Sequence, residues 1–429
     1  MPTKFVTTKT THLYENPTGS ARSMVLIYGD EVTTTGNPSN GRLQASFRGR
    51  NGFITASSLG DPAALEMYFI DVGQGDSTFI VTPGRKKILI DGGVDKRALG
   101  FLAWKYQLDQ AGASVDLDLL VLSHADGDHI NGLIPIIQHP KINVKKVIHS
   151  GIATFNAGQF NTPLGNKAVH NGIDYITTRH SQLNQFTNQQ LSTTFAAWRN
   201  AIKAEHPSIV YEAVRLETGQ IDLGDPAVLL EVVGPRLETV GGQPAYRWFS
   251  DDAHTINGHS VVLRLTHQNV QLLLAGDLNA QGEQHLLDAP GNQQRMSAHV
   301  FKAPHHGSHD FDPTFFAAVR PQVSVVSSGD EPDHGHPRAV FLGQIGRASR
   351  SDLPLLFSTE IAASFVEVNV PTAPGNATAA GPDADLRRLF KRRLHGMINV
   401  RSDGANLYAA RRVAAGYWWE AYGPIPAAP

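Results

Sequence analysis

Four side chains able to hold a metal ion fall inside six positions of the segment SHADGDHINGL: His124, Asp126, Asp128 and His129. The chain has no cysteine among its 429 residues, which rules out thiolate ligands and leaves imidazole and carboxylate as the strong donors. Such a group can hold one or two divalent ions. Two ions bridged by a carboxylate, about 3.5–4 Å apart, activate water for hydrolysis. Further candidates follow at the ends of apolar runs. His259 opens NGHSVVLRL, Asp277 closes LLLAGD, His305 and His306 lie in FKAPHHGS, and His334 and His336 lie in DHGHPRA.

These residues need elements that end at a common place. Residues 117–122 are apolar except for Asp118 and read as a buried strand, and INGLIPII then begins a helix. From Met67 onward MYFIDVG, STFIVTPG and KKILIDGG are β-like, DKRALGFLAWKYQLDQAG is helix-like, and LDLLVLSH is β-like again. Later strands are AVLLEVVGP, SVVLRLT, VQLLLAGD, AHVFKAPHHG and VSVVSSGD. Strands that close in Gly/Asp loops and feed helices predict a layered α/β fold with polar groups gathered at one sheet edge. Residues 150–215 are polar, carry one helical stretch (QLSTTFAAWRNAIKAEH), and are expected as an insertion or cap beside the site. Residues 371–385 read as a loop, DLRRLFKRRLHG as a basic helix, and MINVRSDGANLYAARR as a hairpin around Asp403-Gly404.

Residues 1–60 differ in texture, with short alternating strands between turns at Gly29-Asp30 and at 49–52. Gly29-Asp30-Glu31-Val32, and Gly52-Phe53-Ile54 leading to Leu59, resemble the bacterial SH3-like barrel, with Phe53 where that family usually carries Trp. Asp61-Pro62 marks the boundary. The expected organisation is an SH3-like β-barrel over 1–61 and a catalytic domain over 65–429.

Taken in order, His124, Asp126, Asp128 and His129 resemble the H-x-[HD]-x-D-H signature of the metallo-β-lactamase fold. FIDVGQGDSTFIV, ILIDGG, SHADGDHINGL, LLLAGD, KAPHHGS and GHP together are similar to the nuclease-like domain of the competence protein ComEC and its soluble relatives, over roughly residues 67–345. The resemblance implies an αββα sandwich and a dinuclear site holding zinc or manganese. It implies that His124, Asp126 and His259 hold one ion. Asp128, His129 and either His305 or His306 would hold the other, with Asp277 bridging. His336 would stand at the rim as a phosphate contact or proton donor, and Asp76 and Asp91 would support the ligands. Commoner zinc hydrolases carry His where this chain has Asp126. An oxygen donor there hardens the site toward manganese or magnesium.

The expected function is a phosphodiesterase or nuclease, with Asp128, Asp277 and His336 closest to the chemistry. The alternatives are a phosphocholine-type, small-ester or lactone hydrolase, or a binding protein with a vestigial metal site. A formal net charge of −2 gives no global attraction for a polyanion, so a nucleic-acid site must be local. The basic run at 387–393 reads first as a solvated face, and Trp418-Trp419 as packing. His149, His170, His180, His206 and His285 read as structural. A peptide or protein ligand is expected for the SH3-like region. With no apolar leader and no run of 18 apolar residues, the location expected is cytoplasmic, without membrane contact.

Overall fold

The computed structural model describes residues 2–329, 335–360, 396–414 and 418–427. The expected loop at 371–385, the basic run at 387–393 and His334 lie outside the described residues.

The two halves of the main body each bury a sheet on both faces. Nine strands form the first sheet, in the order Val210–Ala213, Lys146–His149, Leu119–Leu122, Lys87–Ile90, Thr78–Val81, Leu65–Phe69, Ile398–Ser402, Asn406–Ala414 and Trp418–Pro426. The second sheet orders Gln220–Ile221, Leu229–Gly234, Val262–His267, Val270–Leu274, Val300–Lys302, Val323–Val326 and Leu355–Ser358. Leu119 and Val121 point into the apolar layer between the sheets, where they join Leu263, Leu272 and Val300. Leu120 and Leu122 point the other way, into a layer shared with the helices Arg97–Tyr106 and Thr193–Glu205. The second sheet packs its outer face on helices Ala280–Leu287, Pro313–Val319 and Ala339–Arg347. Alternate side chains bury in both directions, so the strands read as continuous apolar runs rather than as a polar/apolar alternation. The layers are helix, sheet, sheet, helix.

The C-terminal hairpin turns at Asp403-Gly404, and Gly404 takes a left-handed φ of +93°. Its first strand pairs with Leu65–Phe69 and completes the nine-stranded sheet. The stretch 150–215 divides. Thr193–Glu205 and Val210–Ala213 belong to the helix layer and the sheet edge, because Phe195, Trp198 and Ile202 are apolar enough to bury there. Lys167–His170 and Ile173–Ile176 instead join Gln243–Arg247 and Glu238–Val240 in a small separate sheet.

The strands from Thr3 to Gly60 form their own seven-stranded antiparallel sheet around Val6, Leu13, Met24, Leu26, Val32 and Ile54. It is docked rather than tethered. Arg401, buried in the hairpin, donates to Tyr28 O at 2.6 Å and to Asp30 Oδ1 at 2.8 Å, and Tyr28 stacks on Tyr408 at 3.8 Å.

Candidate metal centre

Parallel pairing of Lys87–Ile90 with Leu119–Leu122 brings their ends together at Asp91 and Ser123. Asp91 adopts a left-handed φ of +57°. It accepts from Ser123 N (2.8 Å) and Ser123 Oγ (2.6 Å), and its Oδ2 lies 2.9 Å from His129 Nδ1. The chain then enters the short helix Gly127–Ile130, which carries Asp128 and His129. From the facing sheet, Asp277 follows the strand Val270–Leu274, and His306 follows Val300–Lys302. His305 and His306 both hold left-handed φ values, 47° and 51°. For non-glycine residues that conformation costs of order 1–3 kcal/mol, and it is found where a site demands a particular side-chain direction. Close loop packing leaves little slack. A Cβ on Gly75 would lie 1.8 Å from Asp128 O.

The side chains converge tightly. Asp277 Oδ2 lies 3.0 Å from His306 Nε2 and 3.3 Å from His129 Nε2. Asp128 Oδ2 lies 3.4 Å from His306 Nε2, and Asp128 Oδ1 lies 3.9 Å from His129 Nε2. His124, His129 and Asp277 form one convergent group, Asp128, His129 and His306 a second, and Asp76, Asp277 and His306 a third. The Nε2 atoms of His124, His129 and His306 and the Oδ1 atoms of Asp76 and Asp277 are buried and make no hydrogen bond. Orphaned buried donors and acceptors are costly. Five of them facing one small volume fit a bound metal ion. The opposite ring nitrogens are anchored, His129 Nδ1 by Asp91, His306 Nδ1 on Ser327 O at 3.0 Å, and His124 Nδ1 against Ser123 Oγ at 3.0 Å. Such outer contacts fix ring orientation and raise ligand basicity.

Electrostatics make the same demand. Burial alone would push the His306 imidazole down, but the carboxylates of Asp277, Asp76 and Asp128 outweigh it and push its pKa up to about 10. Burial of His129 is likewise outweighed by Asp277, Asp128 and Asp91, which hold it well above the usual histidine value. Burial would raise Asp277, yet His306 and His129 hold it well below the usual carboxylate value. The cluster attracts positive charge, which a divalent cation supplies while displacing these protons.

Of the ligands expected from sequence, the structure brings together His124, Asp128, His129, Asp277 and His306. Asp126 stands at the exposed rim, its Oδ2 3.6 Å from His124 Nε2. Asp76 and Asp91 join the convergent groups. His305 does not enter them; its ring lies 6.4 Å from that of His306 and 5.9 Å from that of His336. The His336 ring lies 6.4 Å from His306, at the edge of the cluster.

His259 is the correction. Its ring stacks on Phe249 at 4.8 Å and meets Tyr246 at 5.2 Å, and its Nε2 lies 2.8 Å from Arg247 O. It belongs to none of the convergent groups. His259 is the C-cap residue of the helix Asp252–Gly258 through its backbone N–H, and its ring is held in the slot formed by Phe249 and Tyr246. Burial pushes its pKa down to about 3, so it sits neutral. Ser260 faces the cluster instead, its Oγ accepting from Asp277 N at 3.1 Å and lying 3.4 Å from His124 Nδ1.

Lys302 was missed by the sequence reading. Its buried ammonium contacts Asp76, donates to Gly276 O at 3.0 Å, and lies 4.0 Å from Asp277 Oδ1. A lysine closing an apolar strand just before His305-His306 was the available signal.

Residues 70–313, more than half of the chain, match the Metallo-beta-lactamase superfamily. The chain belongs to that superfamily. This metallo-beta-lactamase-fold protein carries a buried His/Asp cluster with the donors to hold a metal ion. It is 23% identical over 301 residues to ComE operon protein 3 of Bacillus subtilis, covering 66% of this chain and 31% of that protein. It is 35% identical over 96 residues to the competence protein ComA of Neisseria gonorrhoeae, covering 22% of this chain and 13% of that one. The chain thus spans under a third of either relative's length. Among solved structures it is similar to Tm1679, a metal-dependent hydrolase of the beta-lactamase superfamily, at 12% identity and a TM-score of 0.36, covering 70% of this chain and 96% of that one. No helix among the described residues is long and apolar enough to cross a membrane.

Proposed function

We propose that the protein is a two-metal phosphodiesterase acting on nucleic acid or a nucleotide-like diester. The observation that carries this reading is the oxygen-rich donor set. Asp128 and Asp277 lie among the three imidazoles, and Asp126 adds a carboxylate at the open rim. Such a set suits manganese, with zinc tolerated, and suits charge neutralisation on a phosphodiester better than carbonyl chemistry.

When bound, the two ions would lower the pKa of a water and neutralise charge on the substrate's oxygens. The chain's own residues do the rest. Asp277 stands between the two imidazole groups as the shared carboxylate. Asp128, 23% exposed where His129 is fully buried, reaches from the ligand cluster toward solvent and can accept a proton from the attacking water. Asp91 and Ser327 O keep the His129 and His306 rings from turning. His336, at the edge, is placed to give a proton to the leaving oxygen. The N-terminal sheet is read as an SH3-like unit that docks a peptide or protein ligand and presents it beside the catalytic body.

Hydrolysis of bis-p-nitrophenyl phosphate and of single-stranded DNA in manganese or zinc tests the reading. Both should be cleaved, and Asp128→Asn should abolish cleavage. A protein that leaves both untouched while opening lactones or choline phosphate esters is not a phosphodiesterase of this class.

A further inference from the structure

The segments around Ser260, Asp277 and His306 also wall a separate cavity of about 670 Å³. Small-molecule clefts span roughly 300–1,000 Å³. Phe249 lines this cavity and stacks on His259 at 4.8 Å, and the next residue, Ser260, accepts from Asp277 N. The helix Ala280–Leu287, which starts three residues after Asp277, supplies Gln281 and His285. Phe311, five residues beyond His306, closes another side. The cavity is therefore walled by continuations of the segments that build the metal centre.

Its lining divides into rings and hydrogen-bonding groups. Trp248 and Phe311 are half-buried. Phe311 is backed by Phe316 at 5.1 Å and Phe341 at 5.6 Å. Close packing fixes Phe249, because a Cβ on Gly258 would lie 2.5 Å from its ring. His285 is 4% exposed, and its Nε2 is buried without a hydrogen bond. Its Nδ1 faces the Glu238 carboxylate at 3.7 Å. A proton on Nδ1 leaves Nε2 as an acceptor. The amide of Gln281 is exposed, and Arg247 is 40% exposed with Glu238 at 3.7 Å. Two carboxylates also line the cavity, and both are engaged: Asp312 accepts from Thr314 N and Asp288 from Gln284 Nε2, each at 2.8 Å. Their charge repels a phosphate inside the cavity and leaves a neutral planar ring unopposed.

We infer that this cavity is a nucleobase subsite, in which a base adjoining the scissile diester stacks on Trp248. Phe249 and Phe311 complete the apolar wall, Gln281 and His285 offer hydrogen bonds to the base edge, and Arg247 meets the neighbouring phosphate. Stacking accepts any base, because every base has a π-face. A base paired in a duplex is not free to enter, so the substrate class is single-stranded nucleic acid. The inference rests on the diester reading above and specifies what that reading leaves open.

Two chromogenic diesters separate the cavity from the metal centre. Methyl p-nitrophenyl phosphate carries no base, and the p-nitrophenyl ester of thymidine 5′-phosphate carries one. In Trp248→Ala the KM for the thymidine ester should rise about tenfold or more, with kinetics on the methyl ester unchanged, the pattern of lost uniform binding. Trp248→Phe, which keeps a ring, should bring that KM back to within about threefold of the wild type. Gln281→Glu, a change at an exposed side chain with little weight in folding, should also raise it. Unchanged thymidine-ester KM in both Trp248→Ala and Gln281→Glu would overturn the subsite while leaving the diester reading intact. Cleavage of neither ester by the wild type would overturn the diester reading, and a turnover-free arm then decides the cavity. There, anisotropy of a labelled twelve-residue oligothymidylate on the full-length protein in EDTA should show binding that weakens about tenfold in Trp248→Ala. No binding, or equal binding by the variant, overturns the subsite. A tetramer of N-acetylglucosamine that binds instead, and is lost in Trp248→Ala, would assign the cavity to a sugar and overturn the base.

Discussion

At the junction between the N-terminal sheet and the nine-stranded sheet, two buried carboxylates, Asp30 and Glu66, face Arg401, Lys105 and Arg85. At the opposed strand ends, Asp76, Asp91, Asp128 and Asp277 converge with three imidazoles and the Lys302 ammonium. Both groups are buried and both are rich in charge, but only the first is complete. Glu66 takes Lys105 at 2.9 Å, Arg85 at 3.1 Å and the Tyr68 hydroxyl, while Arg401 bridges Asp30 and Tyr68. None of the oxygens of Asp30 or Glu66 is left without a partner, whereas the strand-end cluster leaves five buried ligand atoms bare. A buried charge group that closes on itself holds parts of a fold together. One that does not close needs an ion from outside.

The sharpest break in that contrast is Asp277→Ala. Removing the carboxylate shared by the His129 and His306 contacts should bring bound metal to near zero and phosphodiester hydrolysis to background, measured by metal analysis and by bis-p-nitrophenyl phosphate turnover. The fold should persist, because the change is confined to the open cluster.

Next in size is Arg401→Ala. It leaves Asp30 with Ile27 N and the more distant Arg48 and weakens the Glu66 group, and breaking a buried pair from one side costs about 3–5 kcal/mol, read as a lowered denaturation midpoint with metal content unchanged. The same cluster sets a pH dependence. Burial would raise Glu66, but Lys105, Arg401 and Arg85 hold it well below the ordinary glutamate value. Its contribution is therefore fully present above about pH 4.3 and is lost as pH falls further, because the unfolded chain then binds a proton that the folded chain refuses. Urea midpoints between pH 6 and 3 should fall in the wild type. They should fall less in Glu66→Gln.

The smallest of the three effects is Asp91→Asn, which keeps the shape and removes the charge that orients His129. Metal affinity should weaken by about 10–100-fold with stoichiometry retained. Loss of less than twofold would mean that Ser123 alone holds the ring.

Much of the site could be read from the chain because its ligands follow apolar runs. A run such as 119–122 must be a strand buried on both faces, and a polar cluster directly after it must emerge at the sheet edge. The same logic placed Asp277 and the His305-His306 pair. It failed where the direction of one side chain decided the matter. His259 and Ser260 are adjacent and equally buried, and sequence position alone favours the stronger ligand. Phe249, ten residues earlier, supplies the slot that turns the imidazole away. His305 and His306 likewise share a turn, and only its two left-handed residues decide that His306 reaches Asp128 and Asp277. Arg401 carried no signal in its own segment, because Tyr28 and Asp30 lie some 370 positions away beside a different sheet, and Tyr68, on the neighbouring strand, lies more than 330 positions away.

The sequence by itself determined the layered α/β body, the separate N-terminal strands, the hairpin at Asp403-Gly404 and the chemical nature of the centre. Each of these rests on local hydrophobic period and on residue types that have few other uses when they are buried together. The tertiary structure alone decided which histidines converge, that Lys302 supplies a fixed positive charge beside Asp76 and Asp277, and that the N-terminal sheet is locked to the main body. Those outcomes depend on packing between distant segments, where the choice between two adjacent side chains turns on which neighbour fills the space.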